Sequence, residues 1–567
     1  MNFNSNKGGA ASPWPHWLWP ALFLVLATVA AYWPAYSAGF IWDDDAYVTE
    51  NTLLTAPDGW SRIWFSAHFQ SQYFPLVYST LRLEHALWGM NPVGYHVVNV
   101  GLHLVNALLV WVLLRRLTLP GAWLAAAVFA LHPVQVETVA WVTELKNTES
   151  TMFYLLAVFA WLHFCAGKGR WYYALALGLH VLALFAKTTA CTLPAVLLLV
   201  LWLKNEPVDR RRVWQTLPFL LAGFGMGLLS VWWEKHLGNY DSHLHLLGGP
   251  LDRLLIATHA VWFYAGKIFW PAALTFSYPR WEISVADLTQ YVWLLGCVAV
   301  AVALGFAWRK WDRRPVVAAV FFVAVLSPML GFIPLYTFYF SYVADHYQYL
   351  ACLGVIALAA GAAATFCERQ QVDARGRAAL AVLLLCGLGA LTFQQCRAYK
   401  DLETLWRDTL RKNPHSWMAH TNLGRLYVRQ NQPAAAEREY LAALAIFPGQ
   451  QEVRYNLGNL YARAGQLDAA VDQYQAGLES APWDAEIHNN LGVTLNRLHR
   501  PAEAITEYER AIYYQPVYPD AYFNLGNVLF ADHQTNAAVL AYQEAARLKP
   551  DSERYQKRLQ ALGLSAN

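Results

Sequence analysis

The sequence predicts an all-α protein in two parts: a polytopic helical membrane domain of about eleven spans, then an α-solenoid. Three observations predict it. Hydrophobic residues make up 56% of the 567 and charged residues only 14%, where a soluble domain carries about 25% charged residues. Nearly all the long apolar runs fall in residues 1–396, and basic residues gather in alternate loops between them. Over residues 397–567 the composition turns to that of an ordinary charged helical domain, with landmarks repeating every 34 residues.

Apolar runs long enough for the hydrocarbon core, which takes about 20 residues, lie near 17–36, 97–114, 121–140, 151–167, 171–187, 188–203, 213–233, 289–308, 315–335, 347–366 and 378–395. The 26 tryptophans and 15% aromatic content fit aromatic belts at both bilayer surfaces. Alternate loops carry Arg115 and Arg116; Lys168 and Arg170; Lys204 with Arg210, Arg211 and Arg212; Arg309, Lys310, Arg313 and Arg314; Arg369, Arg375 and Arg377. The positive-inside rule places these loops in the cytoplasm. The loops 37–96, 141–150, 234–288 and 336–346 then face outward, as does everything after residue 396. The N-terminal apolar stretch reads as a retained signal anchor. Residues 254–272 are apolar enough to span, but counting them would put the Arg309–Arg314 cluster outside; they read as an interfacial or re-entrant helix in the long outer loop.

The C-terminal part is defined by its period. Asn-Leu-Gly recurs at Asn422, Asn456, Asn490 and Asn524. Ala436, Ala470, Ala504 and Ala538 keep the same spacing, as do Tyr440, Tyr474, Tyr508 and Tyr542, and Pro414, Pro448, Pro482, Pro516 and Pro550. This is the signature of tetratricopeptide (TPR) repeats, in which Gly lets two helices approach, the small Ala fits their crossing and Pro ends the second helix. Four repeats are expected over 417–552, with a capping half-repeat at 397–416 and a capping helix at 553–567. An Asn ladder on the first helices offers donors and acceptors to an extended peptide, or bonds only within its own repeats.

A net charge of +3 gives no reason to expect a nucleic-acid partner. Seven cysteines, none in a CxxC pair, predict neither a disulfide framework nor a zinc site. His243 and His245 form an HxH without a third ligand nearby and read as loop residues.

The polar residues of interest collect on the outer side. Asp43, Asp44 and Asp45 are adjacent at a membrane surface, where each carboxylate raises the pKa of the next; a helix cap or solvated loop is the plain alternative. His96, Asn99 and His103 share one helix face. His132 and Glu137 lie near the outer end of the third span, with Glu144 and Lys146 beyond it and Lys187 at another outer helix end. His259, Lys267, Tyr278 and Arg280 belong to the long outer loop, and Asp345 and His346 precede the tenth span. Ionisable groups at membrane depth are costly and usually functional. Their gathering at one face, rather than at mid-bilayer, argues against a transporter.

The segments FIWDDDAYVTEN (40–51), YFPL (73–76), NPVGYHVVNVGLH (91–103), LHPVQVETVAWVTELKN (131–147) and ADHYQYL (344–350), in this order, resemble the bacterial relatives of the transmembrane TPR-containing O-mannosyltransferases. That resemblance implies a C-type glycosyltransferase (GT-C) membrane fold. It implies transfer of a sugar, with inversion, from a polyprenyl-phosphate carrier to an acceptor hydroxyl, such as a protein Ser or Thr, outside a bacterial inner membrane. The TPR domain would then lie in the periplasm or beyond. By the spacing before YVTEN, the family's Asp pair falls on Asp43, the expected base, and Asp44, expected to orient the acceptor. Glu137, His96, Asn99, His103 and His132 become positioning residues for acceptor or sugar, and Lys187, Arg280 and His346 contacts for the lipid phosphate. The family often has a basic residue where this chain has Leu145, and Arg where it has His346. The motifs require no cofactor beyond the lipid-linked sugar and leave dependence on a divalent metal open. Expected partners are the bilayer, the lipid-linked sugar and, through the TPRs, a polypeptide acceptor or a partner protein. A non-catalytic membrane-anchored TPR scaffold is the alternative, and an anchor has no use for the outer-side polar cluster.

Overall fold

The computed structural model describes residues 17–66, 72–236, 248–310, 312–333 and 336–564. His243 and His245 lie outside the described residues. Helices, with no strand among the described residues, form two compact units, Met1–Asn413 and Pro414–Asn567.

The first unit is a multi-pass helical bundle. Among the described residues five helices are long and apolar enough to cross a membrane: Pro92–Arg116, Arg210–Trp233, Leu288–Lys310, Cys352–Arg369 and Ala374–Tyr399. A sixth span forms if the bent pair Ala122–Leu131 and Pro133–Ala140 counts as one. Four more apolar helices, Leu18–Ala31, Trp171–Ala186, Thr188–Leu203 and Arg314–Met329, are shorter. Each of these matches an expected span, as does Leu145–Cys165; among the described residues, length and apolarity alone support five or six crossing helices and do not confirm the expected count of about eleven. The stretch at 254–272 lies largely in the helix Pro250–Phe269, which is not among the crossing helices. It buries Leu255, Ile256, Ala260, Tyr264 and Ile268.

The bend in the third expected span positions the site. Pro133 has no N–H to continue the helix, and the chain turns by 53° there. Two side chains satisfy the break: Thr392 Oγ1 donates to the Leu131 carbonyl at 2.7 Å, and Val134 N donates to His132 Nδ1 at 3.3 Å. The residues after the bend, through Trp141 and Glu144, are thereby held as a buried shelf. Deeper braces fix it. Asn99 Nδ2 donates to the Trp141 carbonyl at 2.9 Å, and Asn99 Oδ1 accepts Thr148 Oγ1 at 2.7 Å. His103 lies between Tyr349 OH, 2.8 Å away, and the Ala130 carbonyl at 3.0 Å.

The helix Leu402–Lys412 lies within the first unit, although the 34-residue period assigns it to a cap. Trp406 is buried against Trp42 and Phe276 at ring-centroid distances of 5.1 and 5.3 Å.

In the second unit the helices pair as Trp417–Arg429 with Pro433–Ile446, Gln451–Arg463 with Leu467–Ser480, Ala485–Arg497 with Pro501–Tyr514, and Pro519–Ala531 with Thr535–Leu548. Glu553–Ala561 follows as a last helix. The repeat landmarks explain the packing. A Cβ on Gly458, Gly492 or Gly526 would come within 2.6, 2.8 or 2.7 Å of the ring of Tyr474, Tyr508 or Tyr542, so Gly and Tyr are one fitted pair. Each turn between the paired helices needs a left-handed residue, supplied by Asn431 (φ 57°), Gly465 (79°), His499 (59°) and His533 (62°) at the same 34-residue spacing.

Candidate functional site

The first outer loop separates its three aspartates. Trp42 adopts a left-handed φ of 48°, a costly conformation for a large side chain. Its ring sits among Phe276, Phe340 and Trp406, which hold it there. The chain after it turns the next two carboxylates inward. Asp44 is fully buried and is bonded at both oxygens. Oδ2 accepts Ile41 N at 2.8 Å, and Oδ1 accepts both the backbone N–H (2.8 Å) and the hydroxyl of Thr143. Burial pushes its carboxyl up to about 7 against these hydrogen bonds. Asp45 accepts the Thr49 hydroxyl at 3.1 Å. Asp43 is half-buried, and among the described residues no side-chain hydrogen bond reaches its carboxylate. Burial raises its pKa, while the charges of Lys146 and His346 pull the other way.

Lys146 and His346 belong to a cluster built on Glu144. This carboxylate is fully buried, 2.9 Å from Lys146 Nζ, 3.5 Å from Lys187 Nζ and 3.9 Å from His346 Nε2, and it accepts the Asn147 amide. Burial alone would raise its pKa, but His346, Lys146 and Lys187 outweigh burial and hold it down at about 2. Glu144 is therefore a fixed anion that gathers Lys146 from the start of the Leu145–Cys165 helix, Lys187 from the end of the Trp171–Ala186 helix and His346 from the loop before the tenth expected span. Lys146 also lies over the rings of Tyr47 and Trp141, 5.5 and 5.6 Å from their centroids. Glu137 supports the cluster from beneath: its Oε1 is 3.1 Å from His346 Nδ1 and its Oε2 accepts His346 N at 3.0 Å. Beside it, Asp345 takes the Tyr278 hydroxyl on both oxygens at 2.9 and 3.0 Å, and burial raises its pKa well above the ordinary range.

A cleft of about 240 Å³ opens onto these cations. Lys146, Lys187 and His346 line one part of it, and Phe74, Val231, Trp233, Met329 and Ile333 give it apolar walls. Its lysines and His346 offer contacts to an anion, and its apolar walls suit a hydrocarbon chain.

The structure thus brings together Asp43, Glu137, Lys187 and His346 of the expected site, with Asp44 immediately behind. It places the others elsewhere. Arg280 is exposed and meets Tyr342, with Nη2 3.1 Å from its hydroxyl. His96, Asn99, His103 and His132 are buried; Asn99 and His103 brace the shelf, and His132 Nε2 bonds to the Ile268 carbonyl at 2.9 Å. Glu144 and Lys146, to which the motifs assigned no role, prove central, and Thr143 and Asn147 are partners the sequence reading missed. The available signal was their own clustering at 143–147. Among the described residues no group of three or more His, Cys, Asp or Glu could hold a metal ion.

The four TPR asparagines are half-buried. Asn422 Nδ2 bonds back to the Met418 carbonyl at 2.8 Å. Asn490 Nδ2 reaches Asn459 Oδ1 and Asn524 Nδ2 reaches Asn489 Oδ1, each at 3.0 Å across adjacent repeats.

Comparison with known proteins agrees with both units. Tetratricopeptide repeat models match residues 403–451, 455–513 and 519–552, and a TPR repeat model matches 502–532. The curated relatives are TMTC-type protein O-mannosyl-transferases. TMTC2 of Mus musculus is 30% identical over 25% of this chain and 18% of its own length. Tmtc1 of Drosophila melanogaster is 27% identical over 52% of this chain and 36% of its own. The Caenorhabditis elegans protein O-mannosyl-transferase F38B6.6 is 22% identical over 76% of this chain and 63% of its own. The chain thus spans less than two thirds of each of these relatives. Among solved structures, MamA matches over 27% of this chain and 88% of its own at 20% identity and a TM-score of 0.25.

Proposed function

We propose that this chain is a membrane glycosyltransferase of GT-C type that moves a sugar from a polyprenyl-phosphate-sugar donor to a hydroxyl, such as a protein Ser or Thr, on the extracytoplasmic face. The observation that carries this reading is the cleft: three cationic groups, apolar walls, and an unbonded carboxylate close by. The names of the relatives support the same class of transfer.

In this reading the donor phosphate sits on Lys146, Lys187 and His346, whose charges Glu144 otherwise balances, and the lipid chain follows the apolar wall. The acceptor oxygen attacks the anomeric carbon from the face opposite the phosphate. Its O–H proton passes to Asp43 as the new C–O bond forms. The bond from the anomeric carbon to the phosphate oxygen breaks, its electron pair leaves with the lipid phosphate, and the configuration inverts. The cations stabilise the charge that grows on the leaving phosphate. Burial raises the Asp43 carboxyl toward the working pH, where a base is most effective. Asp44 acts on the acceptor through the backbone that it fixes, and Glu137 through the orientation of His346. Asn99, His103 and His132 keep the shelf rigid, with His96 buried beside them. Arg280 is a contact at the exposed approach to the site. The repeats hold an extended polypeptide acceptor.

The test is transfer in vitro by the purified full-length chain, from defined polyprenyl-phosphate sugars to a pool of envelope proteins, read by mass spectrometry. Sugar-modified Ser or Thr is the expected result. Absence of transfer from every donor, by protein that still captures polypeptides, would favour a membrane-anchored scaffold instead.

A further inference from the structure

A second groove in the first unit runs from Tyr154 and Leu350, near the carboxylate–cation cluster, to Arg369. Its volume is about 520 Å³, and it runs between the C-terminal part of Pro92–Arg116, the helices Leu145–Cys165 and Leu193–Leu203, and the helices Arg314–Leu326 and Cys352–Arg369. Its walls are apolar, with Leu117, Leu155, Val200, Phe321, Leu353 and Phe366 among the lining residues. Its charged lining is confined to Asp312, Arg314 and Arg369.

Arg314 opens one of the two packed helices and Arg369 closes the other, and both line the groove. Asp312 engages Arg314 only at Nε, at 3.1 Å. Among the described residues, no protein hydrogen bond occupies the terminal guanidinium nitrogens of Arg314 or the guanidinium of Arg369. The other end of the Cys352–Arg369 helix adjoins the Asp345–His346 loop, and its 18 residues separate Arg369 from that loop by roughly 26 Å. One headgroup cannot reach both places. A ligand anchored on Arg314 and Arg369 is a different molecule from a donor anchored on Lys187 and His346.

We propose that this groove holds one acyl chain of an anionic phospholipid, with its headgroup phosphate on Arg314 and Arg369. The charge pattern points to the class: two arginines against one carboxylate, Asp312, which Arg314 already engages, leave a net positive lining that suits an anionic headgroup better than a zwitterionic one. Arg115, Arg116 and Arg313 end or begin helices nearby in the same basic belt, which keeps the field at that surface positive.

Full-length protein in detergent, given phosphatidylglycerol or phosphatidylcholine of identical chains, is read by native mass spectrometry and thermal unfolding. Phosphatidylglycerol is expected to bind about tenfold or more tightly, since each arginine near a headgroup is worth roughly fivefold. Arg314→Gln with Arg369→Gln should erase that preference. Ala357→Phe, which fills the trough and keeps both arginines, should weaken binding of both lipids and so tests the groove even if the double variant does not fold. Equal binding of the two lipids by the wild type, or an unchanged preference in the double variant, overturns the proposal. Displacement of phosphatidylglycerol by a polyprenyl phosphate would also overturn it, because the groove would then belong to that lipid.

Discussion

His346 Nδ1 lies 3.1 Å from Glu137 Oε1, while Glu137 Oε2 accepts the backbone N–H of His346 at 3.0 Å. One carboxylate thus lies against both the ring and the backbone of the residue whose other ring nitrogen is 3.9 Å from Glu144. In the proposed reaction this contact would aim the ring at the donor phosphate.

Glu137→Gln should loosen this hold. The amide can still accept the His346 N–H but no longer supplies charge to the ring. The expected outcome is a rise of about tenfold in donor KM, as for loss of one charge-assisted contact worth roughly 1.5 kcal/mol, with a much smaller change in kcat. A fall in kcat alone would move Glu137 from donor binding to the chemical step.

Glu144 makes a pH prediction with a definite sign. Its folded pKa of about 2 lies below the ordinary value of about 4.3. The anion therefore stabilises the fold above about pH 4.3, and that contribution is lost as pH falls toward 2. The wild type should lose thermal stability across this window. Glu144→Gln should flatten the acid limb. It should also lower stability at neutral pH by roughly 3–5 kcal/mol, because Lys146 and Lys187 are left buried without their counterion. A variant with the wild-type acid limb would show that Glu144 is not the group that titrates.

Asp44→Ala should behave as a folding variant. It strips acceptors from the Ile41 and Thr143 backbone N–H groups, and each buried unsatisfied donor costs about 1–3 kcal/mol. A large drop in melting temperature is expected in step with any loss of activity. Lost activity at unchanged melting temperature would make Asp44 a direct participant.

Asn456→Ala with Asn490→Ala should weaken transfer to long polypeptide acceptors and spare short peptides. Asn490 already bonds to Asn459, so the melting of the second unit has to be measured beside it. Unchanged acceptor preference at unchanged stability would leave these amides a purely internal role.

The sequence made the second unit legible because its contacts are local and periodic: Gly492 meets Tyr508 within one repeat, and the same pair recurs 34 residues away. The site was legible only in outline. Asp43, Lys187 and His346 could be placed on one side by counting spans, but the bond from Thr143 to Asp44 joins residues 99 apart and the contact from His346 to Glu137 joins residues 209 apart. No spacing rule links such partners. For the same reason the sequence does not show that Asp44, expected to orient the acceptor, has its two oxygens taken by Ile41 N and Thr143. The short helix Arg314–Met329 shows why apolar runs overstate length: the expected run reaches residue 335, six residues past the end of the helix.

The central claim is that Asp43 accepts the proton of the acceptor hydroxyl, and the direct test is the single-turnover rate of sugar transfer by Asp43→Asn against the wild type, at equal melting temperature and equal donor binding. The amide keeps the shape and loses the acceptor, so the rate should fall by about 10²–10⁴-fold. Equal rates in the two proteins would contradict the mechanism and take Asp43 out of it.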